Sequence, residues 1–141
     1  MRKLYLMPIL LLLLVLPLLA TDGERPESEE EEDPNIFPVS EYGDEWILGD
    51  TDANGSIDYA LRRNDQGLKE REAVDYDGDG EMDDFYFYNE RGVLIRQEVD
   101  SNYDGAIDLW VHLHRGVYVS GYQRDTDYDG EIDVEKEFDG E

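Results

Sequence analysis

The stretch Asp75-Tyr76-Asp77-Gly78-Asp79-Gly80-Glu81-Met82-Asp83 carries a carboxylate at every second residue and a glycine at its sixth position. The same spacing returns at Asp50-Thr-Asp-Ala-Asn-Gly-Ser-Ile-Asp58, Asp100-Ser-Asn-Tyr-Asp-Gly-Ala-Ile-Asp108 and Asp125-Thr-Asp-Tyr-Asp-Gly-Glu-Ile-Asp133. The four starts are separated by a constant 25 residues. Self-similarity at a fixed period marks an array in which each repeat is one supersecondary unit. The fold is therefore decided by what lies between the acidic stretches.

Each acidic stretch is followed by side chains that favour a pleated surface. Asp83-Asp84-Phe85-Tyr86-Phe87-Tyr88 and Leu109-Trp110-Val111-His112-Leu113 have strand composition. A turn ending in glycine comes next, at Asn64-Asp-Gln-Gly67, Asn89-Glu-Arg-Gly92 and His114-Arg-Gly116, where glycine supplies the positive φ of a short hairpin loop. Second strands are expected over 68–74, 93–99 and 117–124. No window sustains an apolar face of helical period. The expected fold is all-β, an antiparallel meander of 25-residue β-hairpin repeats with glycine turns along one edge and acidic loops along the other. Ahead of the first loop, 36–40 and 45–48 are expected to form a half-similar hairpin around Tyr42-Gly43-Asp44. At the other end, 132–138 is expected to be a lone first strand. There Glu135, Lys136 and Glu137 are the charges that guard an unpaired edge.

Composition narrows the function. Aspartate and glutamate number 37 against 12 lysines and arginines, a formal charge of −25 that repels nucleic acid and anionic membranes and attracts cations. Strong acidity alone signals disorder, yet 11% of the residues are aromatic and cluster in alternating runs, so part of the chain folds. Cysteine is absent. That removes disulfide staples, a lipid-modified N-terminal cysteine and a thiol nucleophile. A small domain with neither a large core nor disulfides needs another source of stability, and a bound metal is one.

Residues 1–20 have the pattern of a signal peptide: Arg2 and Lys3, an apolar run from Leu4 to Leu19, and the small residue Ala20 before Thr21. The run is short for a membrane span and contains Pro8 and Pro17. Export to the periplasm, the cell surface or the medium is expected, with no membrane span in the mature form. Residues 21–34, centred on Glu29-Glu30-Glu31-Glu32 between Pro26 and Pro34, cannot bury apolar surface and are expected to be a disordered acidic linker. Residues 35–141 then form the repeat domain.

Calcium is a hard cation that takes six to eight oxygens, and carboxylates at alternate residues converge on it only where the chain bends sharply. Gly55, Gly80, Gly105 and Gly130 sit where that bend is needed. The nine-residue stretches resemble the calcium loops of EF-hands, dockerin modules and thrombospondin type 3 repeats, which share the Asp-x-Asp-x-Asp-Gly start. The resemblance implies that side chains at loop positions one, three and five bind the ion, together with the backbone carbonyl of position seven. Those residues are Asp50, Asp52, Asn54 and Ser56; Asp75, Asp77, Asp79 and Glu81; Asp100, Asn102, Asp104 and Ala106; and Asp125, Asp127, Asp129 and Glu131. Position nine is aspartate throughout, and Asp58, Asp83, Asp108 and Asp133 are counted as ligands too, directly or through water. The sequence departs from the EF-hand at position twelve. There Leu61, Tyr86, Val111 and Lys136 replace the bidentate glutamate, and the flanking helices are missing, so a β-hairpin variant with open coordination positions is expected. About four Ca²⁺ ions are expected, one per loop. The second and fourth loops offer the most carboxylates and should fill first.

Other constellations are weaker. His112 and His114 share one side of a strand at a spacing that suits zinc or copper, but no third ligand of suitable type is near in sequence. Trp46, Trp110 and the tyrosines are expected to pack the sheet, with a carbohydrate or protein platform as the other use of such residues. No serine–histidine–aspartate order or phosphate-binding glycine loop is present, so the protein is expected not to be an enzyme. A calcium-stapled surface or periplasmic interaction module is the first expectation and a calcium store or sensor the second. An enzyme or enzyme inhibitor is a distant third.

Overall fold

Alternation along a strand sorts side chains into two rows, one on each face of the sheet. In the computed structural model, which describes residues 34–138, these rows belong to a single antiparallel sheet of eight strands in sequential order. The strands are β1 (Trp46–Gly49), β2 (Tyr59–Arg63), β3 (Lys69–Val74), β4 (Asp84–Tyr88), β5 (Leu94–Val99), β6 (Leu109–His114), β7 (Tyr118–Arg124) and β8 (Val134–Glu137). The chain is thus an all-β meander, as its composition and turns imply. The expected signal peptide and nearly all of the expected linker lie outside the described residues, as do 139–141. Among the described residues no helix is long and apolar enough to cross a membrane.

The hairpins share one register. The residue just after a loop's ninth position opposes the residue just before the next loop: Tyr59 faces Val74, Asp84 faces Val99 and Leu109 faces Arg124. Each hairpin also shifts by a residue beside its turn, at Arg62/Arg63, Phe87/Tyr88 and His112/Leu113. Such a bulge adds twist where the chain reverses. The turn glycines Gly67, Gly92 and Gly116 have φ of 76°, 71° and 76°, as expected from the sequence.

The segment before β1 differs from expectation. Residues 36–40 form no hairpin strand; they cross one face of the sheet as a strap and end in a short 3-10 turn, Val39–Glu41. The physical reason is the composition of the strap. Pro38 cannot donate to a ladder, and Ile36, Phe37 and Val39 find apolar cover over the aromatic strands instead. Phe37 meets Phe85 edge to face at 5.1 Å, and Tyr42 meets Trp46 at 4.8 Å. Beneath the strap lies the core: Tyr42, Trp46, Ala60, Ala73, Met82, Phe85 and Phe87. On the same face Arg62 lies over Trp46, while Arg71 and Arg96 lie over Phe87 at 4.5 and 4.1 Å.

The opposite face holds two buried carboxylates. Glu72 accepts hydrogen bonds from the hydroxyls of Tyr59 and Tyr88 and from Lys69 Nζ. Asp84 accepts from Tyr86 and from Gln97. Burial pushes the Glu72 carboxyl up, but the donors from Lys69, Tyr59 and Tyr88 outweigh it, so Glu72 ionises below its ordinary value of 4.5. A carboxylate with a depressed native pKa stabilises the fold above its unfolded pKa and loses that contribution as pH falls through the native one. Glu72→Gln should therefore cost about 1–2 kcal/mol at neutral pH and flatten the acid limb of the stability curve below pH 4.5. Urea titrations across that range check this. A variant with the parent's slope would mean that the tyrosines do not hold the charge.

Candidate metal centres

The four loops lie along one edge of the sheet, each joining consecutive strands: β1 to β2, β3 to β4, β5 to β6 and β7 to β8. Their backbones follow one plan. The first aspartate takes the amide of the sixth-position glycine, with Gly55 N to Asp50, Gly80 N to Asp75, Gly105 N to Asp100 and Gly130 N to Asp125 at 2.7–2.9 Å. The fifth side chain takes the amide of position seven, as in Glu81 N to Asp79 and Glu131 N to Asp129. The ninth aspartate closes the loop on the amide of position two. Backbone N–H groups thus hold several negative side chains together in one turn. The bend needs left-handed residues at positions four and six. Ala53, Tyr103 and Tyr128 adopt φ of 62–63° at position four, where the second loop has Gly78.

This plan brings three of the expected positions together. Carboxylate oxygens of Asp50, Asp52 and Asp58, of Asp75, Asp77 and Asp83, and of Asp125, Asp127 and Asp133 lie within 4.8 Å of one another. Positions one, three and nine therefore converge in the first, second and fourth loops. The fifth-position side chains Asn54, Asp79, Asp104 and Asp129 each accept the amide two residues on, and Asp79 and Asp129 stand outside the groups of their loops. The seventh-position residues, Ser56, Glu81, Ala106 and Glu131, each place their amide on that side chain. In the third loop position three is Asn102, and its Oδ1 is buried with no hydrogen-bond partner. An oxygen withdrawn from water without a donor has the chemistry of a cation ligand.

Charge crowding differs between the loops. Repulsion from Asp129, then Asp133, raises the pKa of Asp127. Asp58 and Asp133 are lowered by hydrogen bonds from Thr51 and Thr126, each of which donates both its amide and its hydroxyl. Ser101 likewise donates its amide and its hydroxyl to Asp108. These hydroxyls stand at position two in plain sight of the sequence, but their role is visible only once the loop closes. The second loop has Tyr76 there, so Asp83 receives the amide alone. Burial, with Asp77 and Asp75 adding to it, pushes the Asp83 carboxyl up to about 6.

The second loop is also the one tied to the strap. Val39 N donates to Gly80 O at 2.9 Å and Met82 N to Phe37 O at 2.7 Å, with Pro38 and Glu81 forming a bridge between them. Met82 is fully buried and Asp75 and Asp83 nearly so. Neighbouring loops are joined directly as well: Asp75 N donates to Asp58 O, Asp100 N to Asp83 O and Asp125 N to Asp108 O at 2.8–3.0 Å. Neither His112 nor His114 enters a group of metal-ligating side chains among the described residues. Trp46 is in the core, and Trp110 stands in a strand row between Glu98 and Gln123.

No family model and no curated protein matches the sequence. Among solved structures the chain is similar to one described as the crystal structure of accessory secretory protein 1,2 and 3 in Streptococcus pneumoniae, at 12% identity and a TM-score of 0.45. The match covers 69% of this chain and spans 21% of that one.

Proposed function

We propose that the protein is an exported calcium-binding repeat protein, a non-enzymatic module in which Ca²⁺ staples the loop edge of the sheet. The observation that carries this reading is the convergence of the carboxylates at positions one, three and nine in loops whose amides already hold those side chains in place. Three carboxylates make a hard, oxygen-only donor set, which suits calcium better than zinc or copper. Magnesium demands tighter octahedral geometry and gives up water reluctantly. In each loop the residues at positions one, three and nine would hold the ion, with the position-seven carbonyl as a further oxygen and position five braced on the loop amide. The ion would supply charge neutralisation, not a reaction. The signal pattern at the start of the sequence supports export, to a surface or periplasmic setting.

Calorimetric titration tests the reading. About four calcium ions should bind, the tightest in the second loop, whose buried carboxylates and strap contacts brace its closed form. Asp79→Ala and Asp129→Ala should each weaken their loop roughly tenfold or more, and more than Asn54→Ala weakens the first. Asp75→Ala should exceed all three, because its carboxylate also organises the turn by accepting Gly78 N and Gly80 N. No heat of binding in the parent chain would refute calcium. Equal losses from all four variants would refute the ranking.

A further inference from the structure

The two outer strands of the sheet are the two halves of one hairpin. In a complete repeat the first strand leaves a loop and the second runs into the next, as β4 and β5 do between Asp83 and Asp100. Among the described residues, β8 leaves the fourth loop as a first strand and pairs only with β7, and β1 runs into Asp50 as a second strand and pairs only with β2. We propose that β8 of one molecule pairs with β1 of a second copy, so that the meander continues from chain to chain.

The common register fixes the pairing. Val134 takes the place of Asp84 or Leu109, and Gly49 that of Val99 or Arg124, so Val134 opposes Gly49, Glu135 opposes Leu48, Lys136 opposes Ile47 and Glu137 opposes Trp46. Faces match across this contact. Trp46 and Leu48 stand in the rows of Arg62 and Ala60, on the strap side, and Glu137 and Glu135 in the rows of Gly121 and Gln123, on that same side. The loop ladder continues too. The carbonyls of Asp58, Asp83 and Asp108 each accept the first amide of the next loop; that of Asp133 is next in line, and Asp50 of the second copy carries the matching amide. Apolar surface is available on both sides, with Ile47 55% and Leu48 39% exposed on β1 and Ile132 49% exposed beside β8.

Charge selects β1 over a second β8. A twofold β8 to β8 pairing opposes Glu135 to itself, Lys136 to itself, Glu137 to itself or Asp133 to Glu135, depending on register, and like charges directly opposite are destabilising. β1 carries no charge. A contact between two different edges does not close with two copies and leads to open chains or rings.

The absence of cysteine makes the test direct. Side chains directly opposite in an antiparallel pair lie about 4.5–5.5 Å apart between Cβ atoms, close enough for a disulfide after small adjustment. The double variant Leu48→Cys, Glu135→Cys, oxidised in calcium, should run as a ladder of dimers and higher species on a non-reducing gel and collapse on reduction. Leu48→Cys with Lys136→Cys, on opposite faces, should give no ladder. Circular dichroism identical to the parent's establishes that each variant is folded. Sedimentation of the unsubstituted chain provides the second readout, with average mass rising with concentration. A parent that stays monomeric at every concentration, or dimers from Glu135→Cys or Leu48→Cys alone in place of the ladder, would overturn the proposal. The contact is between strands, so a failed calcium titration would leave this result to stand or fall by itself.

Discussion

In excess chelator the chain beyond Asp50 is expected to lose its cooperative thermal transition and its sheet signal in circular dichroism, and to regain both when calcium is restored. The size of the effect follows from mass action. An ion present at a hundred times its dissociation constant adds about 2.7 kcal/mol per site. Four independent sites would add about 11 kcal/mol, against a total of about 5–15 kcal/mol for a folded domain. The opposing term is visible in the loops, where Asp75, Asp100 and Asp125 are 2–5% exposed and stand among other carboxylates. Holding those charges together without a counterion is costly, and the core of seven buried apolar residues is small. A transition that keeps its midpoint and cooperativity in chelator would show that the amides alone neutralise the loops.

Phe85→Ala is expected to cost about 3–5 kcal/mol, the usual range for a buried aromatic truncated in a core. Phe85 is 4% exposed and joins the strap to the sheet through the ring of Phe37. Its loss also removes an edge-to-face contact worth about 0.5–1.5 kcal/mol. Since the strap carries the hydrogen bonds to Gly80 and Met82, the variant should weaken calcium binding at the second loop more than at the fourth. Urea unfolding in calcium measures the first effect and calorimetry the second. A loss under about 1 kcal/mol would mean that the strap is not packed on the sheet in solution.

Much of this architecture can be read from residues alone because the repeat multiplies each signal. A single Asp-Gly turn is weak, whereas four at constant spacing, the first three each followed by a strand, a glycine turn and another strand, admit few arrangements. β3, β5 and β7 begin one residue inside the expected spans and end where expected. The strap escaped such reading because it occurs once. Ile36, Phe37 and Val39 have strand-like chemistry, and only the competition between a lone hairpin and an open aromatic face, which is a tertiary matter, sends them across the sheet. The split between converging positions one, three and nine and the amide-bound position five was hidden for a related reason. Alternation predicts which residues share a loop, but the path of the closed loop decides which of their carboxylates meet.

The common register has a consequence for the length of the molecule. Each 25-residue unit contributes one descending and one returning strand, so removing the unit from Asp75 to Val99 would join Val74 to Asp100 with every remaining strand still pointing as before. Ala73 would then oppose Trp110 where it now opposes Phe85. A chain with this register can hold more or fewer units without inverting any strand, and the number of loops along the edge follows the number of units.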